Sequence, residues 1–135
     1  MSDRLRIGVG LVVVIAAVVL FIVLHGGGGS SDSGGKQLTV NGKAVSGVPT
    51  IRLRGGKPVG GVEQFQVDSG GRIRFRVTSD VAGEVHVHGY YFLKPINVGG
   101  SVSFGFPANL EGGFEVELHH GGGEDTIADL KVEPG

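Results

Sequence analysis

The chain has 135 residues, room for one modest domain rather than two. Its 12 basic and 13 acidic residues nearly cancel, which excludes a strong global field drawing it to nucleic acid. It contains no cysteine, and this excludes disulfides, thiolate nucleophiles and cysteine-ligated metals.

Residues 1–6 form a short start that carries Arg4 and Arg6. Residues 7–24, IGVGLVVVIAAVVLFIVL, are free of charge and of strongly polar side chains. As a helix rising about 1.5 Å per residue, this run reaches roughly 27 Å, close to the hydrocarbon thickness of a bilayer. The two arginines before it place the N-terminus in the cytoplasm and the rest of the chain outside the cell membrane, a single-pass arrangement. A cleavable signal peptide shares the basic start and the apolar run. The run is long, however, and ends in FIVLHG without a small-x-small site, so an uncleaved signal anchor is the expectation. Residues 25–35, HGGGGSSDSGG, have the composition of a flexible linker, with His25 at the membrane interface.

Residues 36–135 read as β structure throughout. QLTV, TIRLR, EQFQV, RIRFRVTS, EVHVH, SVSFGF, GFEVELH and IADLKVE are short alternating or β-branched runs. Between them, many of the 27 glycines sit in turn-forming stretches such as NGK, RGGKP, DSGG, NVGG and NLEGG. The spacing predicts an all-β antiparallel sandwich. In RIRFRV, Ile73, Phe75 and Val77 share one face and Arg72, Arg74 and Arg76 the other; in GFEVELHH, Phe114, Val116 and Leu118 point in while Glu115, Glu117 and His119 point out. The arginine and glutamate rows read as solvated faces. Tyr90, Tyr91 and Phe92 are expected to pack in the core and its loops rather than to cage a ligand.

The order RIRFRVTSDVAGEVHVHGYYF, VGGSVSFGFPA, GGFEVELHHGGGEDTIADLKVEP resembles a bacterial cupredoxin-like domain over about Val48 to Pro134. Within that family it is most similar to the group related to the periplasmic component of iron-uptake systems. The resemblance implies a Greek-key cupredoxin-like sandwich of seven or eight strands. In copper-binding members one histidine follows the strand matching EVHVH, and a cysteine, a histidine and often a methionine lie in the final hairpin loop. Of these only the first histidine carries over, as His88. Leu118 stands at the thiolate position and no methionine follows it, so the chain cannot build a blue-copper centre.

His86 and His88 lie two apart on one strand, and both project from the same face about 6.6 Å apart at the backbone, with Glu84 in the same parity. His119 and His120 end another strand, and the resemblance implies that the two strand ends meet at one end of the sandwich. A site of His86, His88 and His119 with a carboxylate or water, and with His120 as a further candidate, suits copper as Cu(II) or zinc. Without metal, the same residues are ordinary polar strand residues beside a glycine-rich turn. GGGED lacks the Lys-Ser/Thr and the following helix of a phosphate-binding loop, so no nucleotide is expected. No motif assembles a catalytic triad, and no enzymatic activity is expected. The combined expectation is a membrane-anchored extracytoplasmic module without blue copper, acting as a metal-free interaction or accessory domain with an envelope protein partner and no nucleic acid. The alternative is a histidine-based Cu(II)/Zn(II) binding protein of the cell envelope.

Overall fold

Alternation of apolar and polar side chains decides which way the longer strands of this domain face. A computed structural model of the protein describes residues 36–135; the predicted start, anchor and linker at 1–6, 7–24 and 25–35 lie outside the described residues. The described residues form eleven strands: β1 (Thr39–Val40), β2 (Lys43–Ala44), β3 (Thr50–Arg54), β4 (Lys57–Pro58), β5 (Glu63–Asp68), β6 (Arg72–Ser79), β7 (Gly83–Val87), β8 (Phe92–Ile96), β9 (Ser101–Pro107), β10 (Gly112–His120) and β11 (Gly123–Glu133). They make an all-β sandwich of two sheets, one of seven strands ordered β2-β1-β5-β11-β10-β7-β8 and one of four ordered β4-β3-β6-β9.

All eight runs singled out in the sequence contain strands. Three further strands lie at sheet edges: β2 and β4 are two residues each, too short to show a period, and β8 is exposed along most of its length. β8 also carries Pro95, which a central strand would not tolerate. The expected purely antiparallel pairing is corrected: β5 runs parallel to β11, with Phe65 opposite Leu130, and β3 runs parallel to β6, with Ile51 opposite Val77. Successive strands cross from one sheet to the other, so partners distant in sequence meet in the same direction. Turn chemistry reports only on neighbours joined by a hairpin.

The inner faces are largely apolar, with Ser79 of β6 the polar residue buried among them. Ile73, Phe75 and Val77 of β6 are fully buried, as are Val85 of β7 and Val116 and Leu118 of β10. Phe75 lies at the centre, stacked on Phe104 of its own sheet at 4.9 Å between ring centroids and tilted against Phe65 of the other sheet at 5.4 Å. Phe114, expected to be as deep, is half-buried at the rim. The aromatic trio also divides. The Tyr90 ring packs on Phe106 and Phe114, and its hydroxyl donates to the Leu110 carbonyl (2.9 Å) and accepts from the Leu110 amide (3.1 Å). Phe92 lies against Phe106. Tyr91 occupies a left-handed turn position, φ 58°, and is 94% exposed, so it contributes nothing to the core.

Because both inner faces come from residues 36–135, a chain beginning at Lys36 should fold by itself. Calorimetry of that chain is expected to give equal calorimetric and van't Hoff enthalpies. A broad transition with unequal enthalpies would place essential core outside it.

Candidate metal centre

The period of two that buries Val85 and Val87 turns Glu84, His86 and His88 outward from β7. The same period in β10 buries Val116 and Leu118 and turns Glu115, Glu117 and His119 outward. β7 and β10 are antiparallel neighbours with His86 opposite Glu117 and Glu84 opposite His119. The ladder continues through the His88 amide, which donates to the Glu115 carbonyl at 3.0 Å. On the far side of β10, β11 sets Glu124 opposite His119. A bulge between Val116 and Glu117 leaves Ile127 as the extra residue, so Ile127 and Ala128 are both buried while Glu124 still faces out. Three strands therefore bring histidine and carboxylate to one spot on the outer face of the larger sheet.

At Gly83 a Cβ would press into the His119 carbonyl oxygen, so only glycine lets β7 approach β10 this closely. Gly83→Ala is expected to lower both the melting temperature and any metal affinity of the site. A variant that keeps both would show that the strands can separate without disturbing the histidines.

The imidazoles of His86 and His119 stack face to face, with centroids 3.9 Å apart and planes inclined by 19°. The His88 ring lies 6.0 Å from His86 and 6.2 Å from His119. One nitrogen of each ring falls within 4.8 Å of the others. A tetrahedral ion with metal–nitrogen bonds near 2.0–2.1 Å requires about 3.4 Å between ligand atoms, so binding would require the stacked His86 and His119 rings to turn until their nitrogens converge. Glu117 Oε2 sits between two of the rings, 3.0 Å from His88 Nε2 and 3.1 Å from His119 Nε2. Glu124 Oε1 stands 3.3 Å behind His119 Nδ1. A carboxylate on the second nitrogen is the usual orienting partner of a metal-bound histidine.

His86 is the ring left over. Its Nε2 is shielded from solvent and has no hydrogen-bond partner among the described residues; a carboxylate oxygen of Glu84 is 3.6 Å away. A shielded nitrogen without a partner costs on the order of 1–3 kcal/mol.

Burial pushes the Glu117 carboxyl up, but hydrogen bonds from His88 and His119, electrostatic attraction to His88 and a contact from Glu115 outweigh it and hold the group below its ordinary value of 4.5. The folded carboxyl thus binds its proton less readily than the unfolded one. Its contribution to stability is complete above pH 4.5 and is lost as pH falls through the lower folded value. Thermal melts in that acidic range should show a steeper loss for the wild type than for Glu117→Gln. Parallel curves would mean that the carboxylate does not hold the histidines.

The four histidines proposed from the sequence separate into three and one. His86, His88 and His119 converge. His120, one residue further, has the parity of Leu118 and turns to the inner side, where both its nitrogens are engaged. The Gly122 amide donates to Nδ1 at 3.2 Å, which leaves Nε2 to donate to Asp125 Oδ2 at 2.8 Å. Lys57 Nζ meets the other Asp125 oxygen at 3.1 Å. These two contacts, His120 first, hold the Asp125 carboxyl below its ordinary range. Gly56, at φ +83°, leaves room for the ring: a Cβ there would stand 2.8 Å from His120 Nε2. The meeting place also differs from the one the resemblance implied. The cluster lies on an outward sheet face, because its members share parity with one another and not with Val85, Val87 and Leu118. Leu118 itself is fully buried and offers no donor atom, so the residues present do not fit a blue-copper centre.

Glu124 was not anticipated. Reading GG at 121–122 as a two-residue hairpin turn would have placed it opposite His119.

No family model matches the chain, and no curated protein matches it. Among solved structures it is distantly similar to the multicopper oxidase mgLAC, at 18% identity and a TM-score of 0.39, over 64% of this chain and 29% of that one. It is similar to a multi-copper oxidase from Pseudomonas thermotolerans at 16% identity and a TM-score of 0.40, over 65% of this chain and 30% of that one. A third likeness is to a heme-copper terminal oxidase dimer, at 13% identity and a TM-score of 0.39, over 98% of this chain and 100% of that one. The chain spans less than a third of the length of the two multicopper oxidases it matches.

Proposed function

We propose that this protein is a histidine-based binder of a divalent transition metal, Cu(II) or Zn(II), built on a cupredoxin-like Greek-key sandwich that has no blue-copper site. The reading is of a non-catalytic accessory module, held at the extracytoplasmic side of the cell membrane by the apolar segment 7–24 and serving an envelope partner. The observation that carries it is the orphaned Nε2 of His86 inside a group of three imidazoles. Glu124 behind His119 supports it as an orienting partner. Nitrogen and carboxylate donors suit both ions, and copper is bound more tightly than zinc by such donors in general.

A metal-free interaction module is the second reading. It is favoured by one observation: Glu117 already satisfies His88 and His119.

Electron paramagnetic resonance of the full-length protein in neutral detergent, loaded with Cu(II), separates the two. The metal reading expects a tetragonal nitrogen/oxygen signal at one equivalent and no intense thiolate band in the visible spectrum. A spectrum identical to that of Cu(II) with an unstructured histidine peptide supports the metal-free module.

A further inference from the structure

The balanced net charge conceals a separation of charge by face. Residues 36–135 contain five arginines, Arg52 and Arg54 on β3 and Arg72, Arg74 and Arg76 on β6, and all five are exposed on the outer face of the four-stranded sheet. Of the lysines in the same stretch, only Lys57 belongs to this sheet, and its ammonium is engaged by Asp125. Among the described residues none of the five guanidinium groups forms a salt bridge. Opposite the three β6 arginines, β9 sets Pro107, Gly105 and Ser103, none of them charged, while Arg54 stands opposite Lys57. Arg76 Nε reaches only the Ser103 hydroxyl at 3.4 Å, and the Arg72 guanidinium lies over Gly105, 3.5 Å from where a Cβ would stand.

Like charges at successive outward positions, about 6.6 Å apart along β6, repel one another and cost stability unless something neutralises them. Arginine at every position, rather than lysine, presents a rigid fork matched to the paired oxygens of phosphate or carboxylate. The outward positions of β3, β6 and β9 carry no aromatic side chain on which a base could stack, and no large apolar one to enter a bilayer or to form the centre of a protein interface. What remains is an electrostatic track. The geometry points to a linear phosphodiester polymer laid along β6, its backbone phosphates held by Arg72, Arg74 and Arg76 and flanked by Arg52 and Arg54. A phosphodiester carries its two free oxygens on the polymer backbone itself. A polymer with carboxylates on flexible side chains must order each side chain to present the same pair. The track reads phosphates and ignores what the polymer bears between them.

The probe is a short fluorescent abasic oligodeoxynucleotide, which offers phosphodiesters without bases, added to the full-length protein in neutral detergent. Three to five phosphate contacts should give a slope of log affinity against log salt of about −2 to −3.5. Replacing Arg72, Arg74 and Arg76 together by glutamine should weaken binding at least tenfold at low salt and reduce that slope by about 2. Should this triple variant fail to fold, Arg74→Gln alone should reduce the slope by about 0.7. The proposal is overturned if the oligomer does not bind at low salt, or if the variants keep the wild-type slope. It is overturned equally if polyglutamate of equal charge displaces the oligomer at the same concentration, or if vesicles containing phosphatidylglycerol are bound while the oligomer is not. Self-association at low salt that disappears in the triple variant would instead assign the face to a second copy of the chain.

Discussion

Phe75→Ala is expected to cost about 3–5 kcal/mol of folding stability. The ring is fully buried, it stacks on Phe104 within its own sheet, and it packs against Phe65 of the opposite sheet. Removing it takes away apolar transfer energy and leaves a cavity between two sheets whose backbone ladders prevent collapse. For a domain of ordinary stability, about 5–15 kcal/mol, the variant lies at the edge of unfolding. Phe114→Ala should cost clearly less, because that ring is only half-buried, lying against Tyr90 and over Gly89. Denaturant melts of the two variants measure the difference. Equal losses would show that the sandwich does not close around Phe75.

The second large effect concerns the metal. His88→Ala and His86→Ala each remove one of three imidazoles that converge from two strands. Loss of a partner behind a ligand typically costs 10–100-fold in metal affinity, so loss of a ligand itself is expected to exceed about 100-fold. Glu124→Gln, behind His119, should fall in the smaller range. His120→Ala should leave affinity unchanged, since its ring turns to the inner side and is held by Asp125 and Gly122. Affinity should also fall as pH is lowered, because protons compete for the same nitrogens. Competition with a chelator of known affinity reads all four variants. An effect of His120→Ala as large as that of His88→Ala would refute the division of the four histidines.

Much of the sandwich was written in local alternation. RIRFRVTS and GFEVELHH are each long enough for period two to set an inner and an outer face, and the structure follows it residue by residue. The same parity separated His120 from His119, since Phe114, Val116, Leu118 and His120 form one series. The parallel pairings of β3 with β6 and of β5 with β11 were not legible, because they depend on strands crossing between sheets and no local signal encodes the crossing. For this reason the arginines of two separate runs could not be recognised as one face. The convergence of His86, His88 and His119 was visible as a set of residue types, but its place on the outer sheet face followed only from the register of β7 against β10.

The central claim, that three imidazoles of one sheet face hold a divalent ion, is tested most directly by X-ray absorption at the zinc edge of the protein loaded with one equivalent of Zn(II). The expected first shell has three imidazole nitrogens at about 2.0–2.1 Å and one oxygen at about 2.0–2.2 Å, with one imidazole lost in His86→Ala. A shell of oxygens alone, or one whose imidazole count is the same in wild type and His86→Ala, would contradict it.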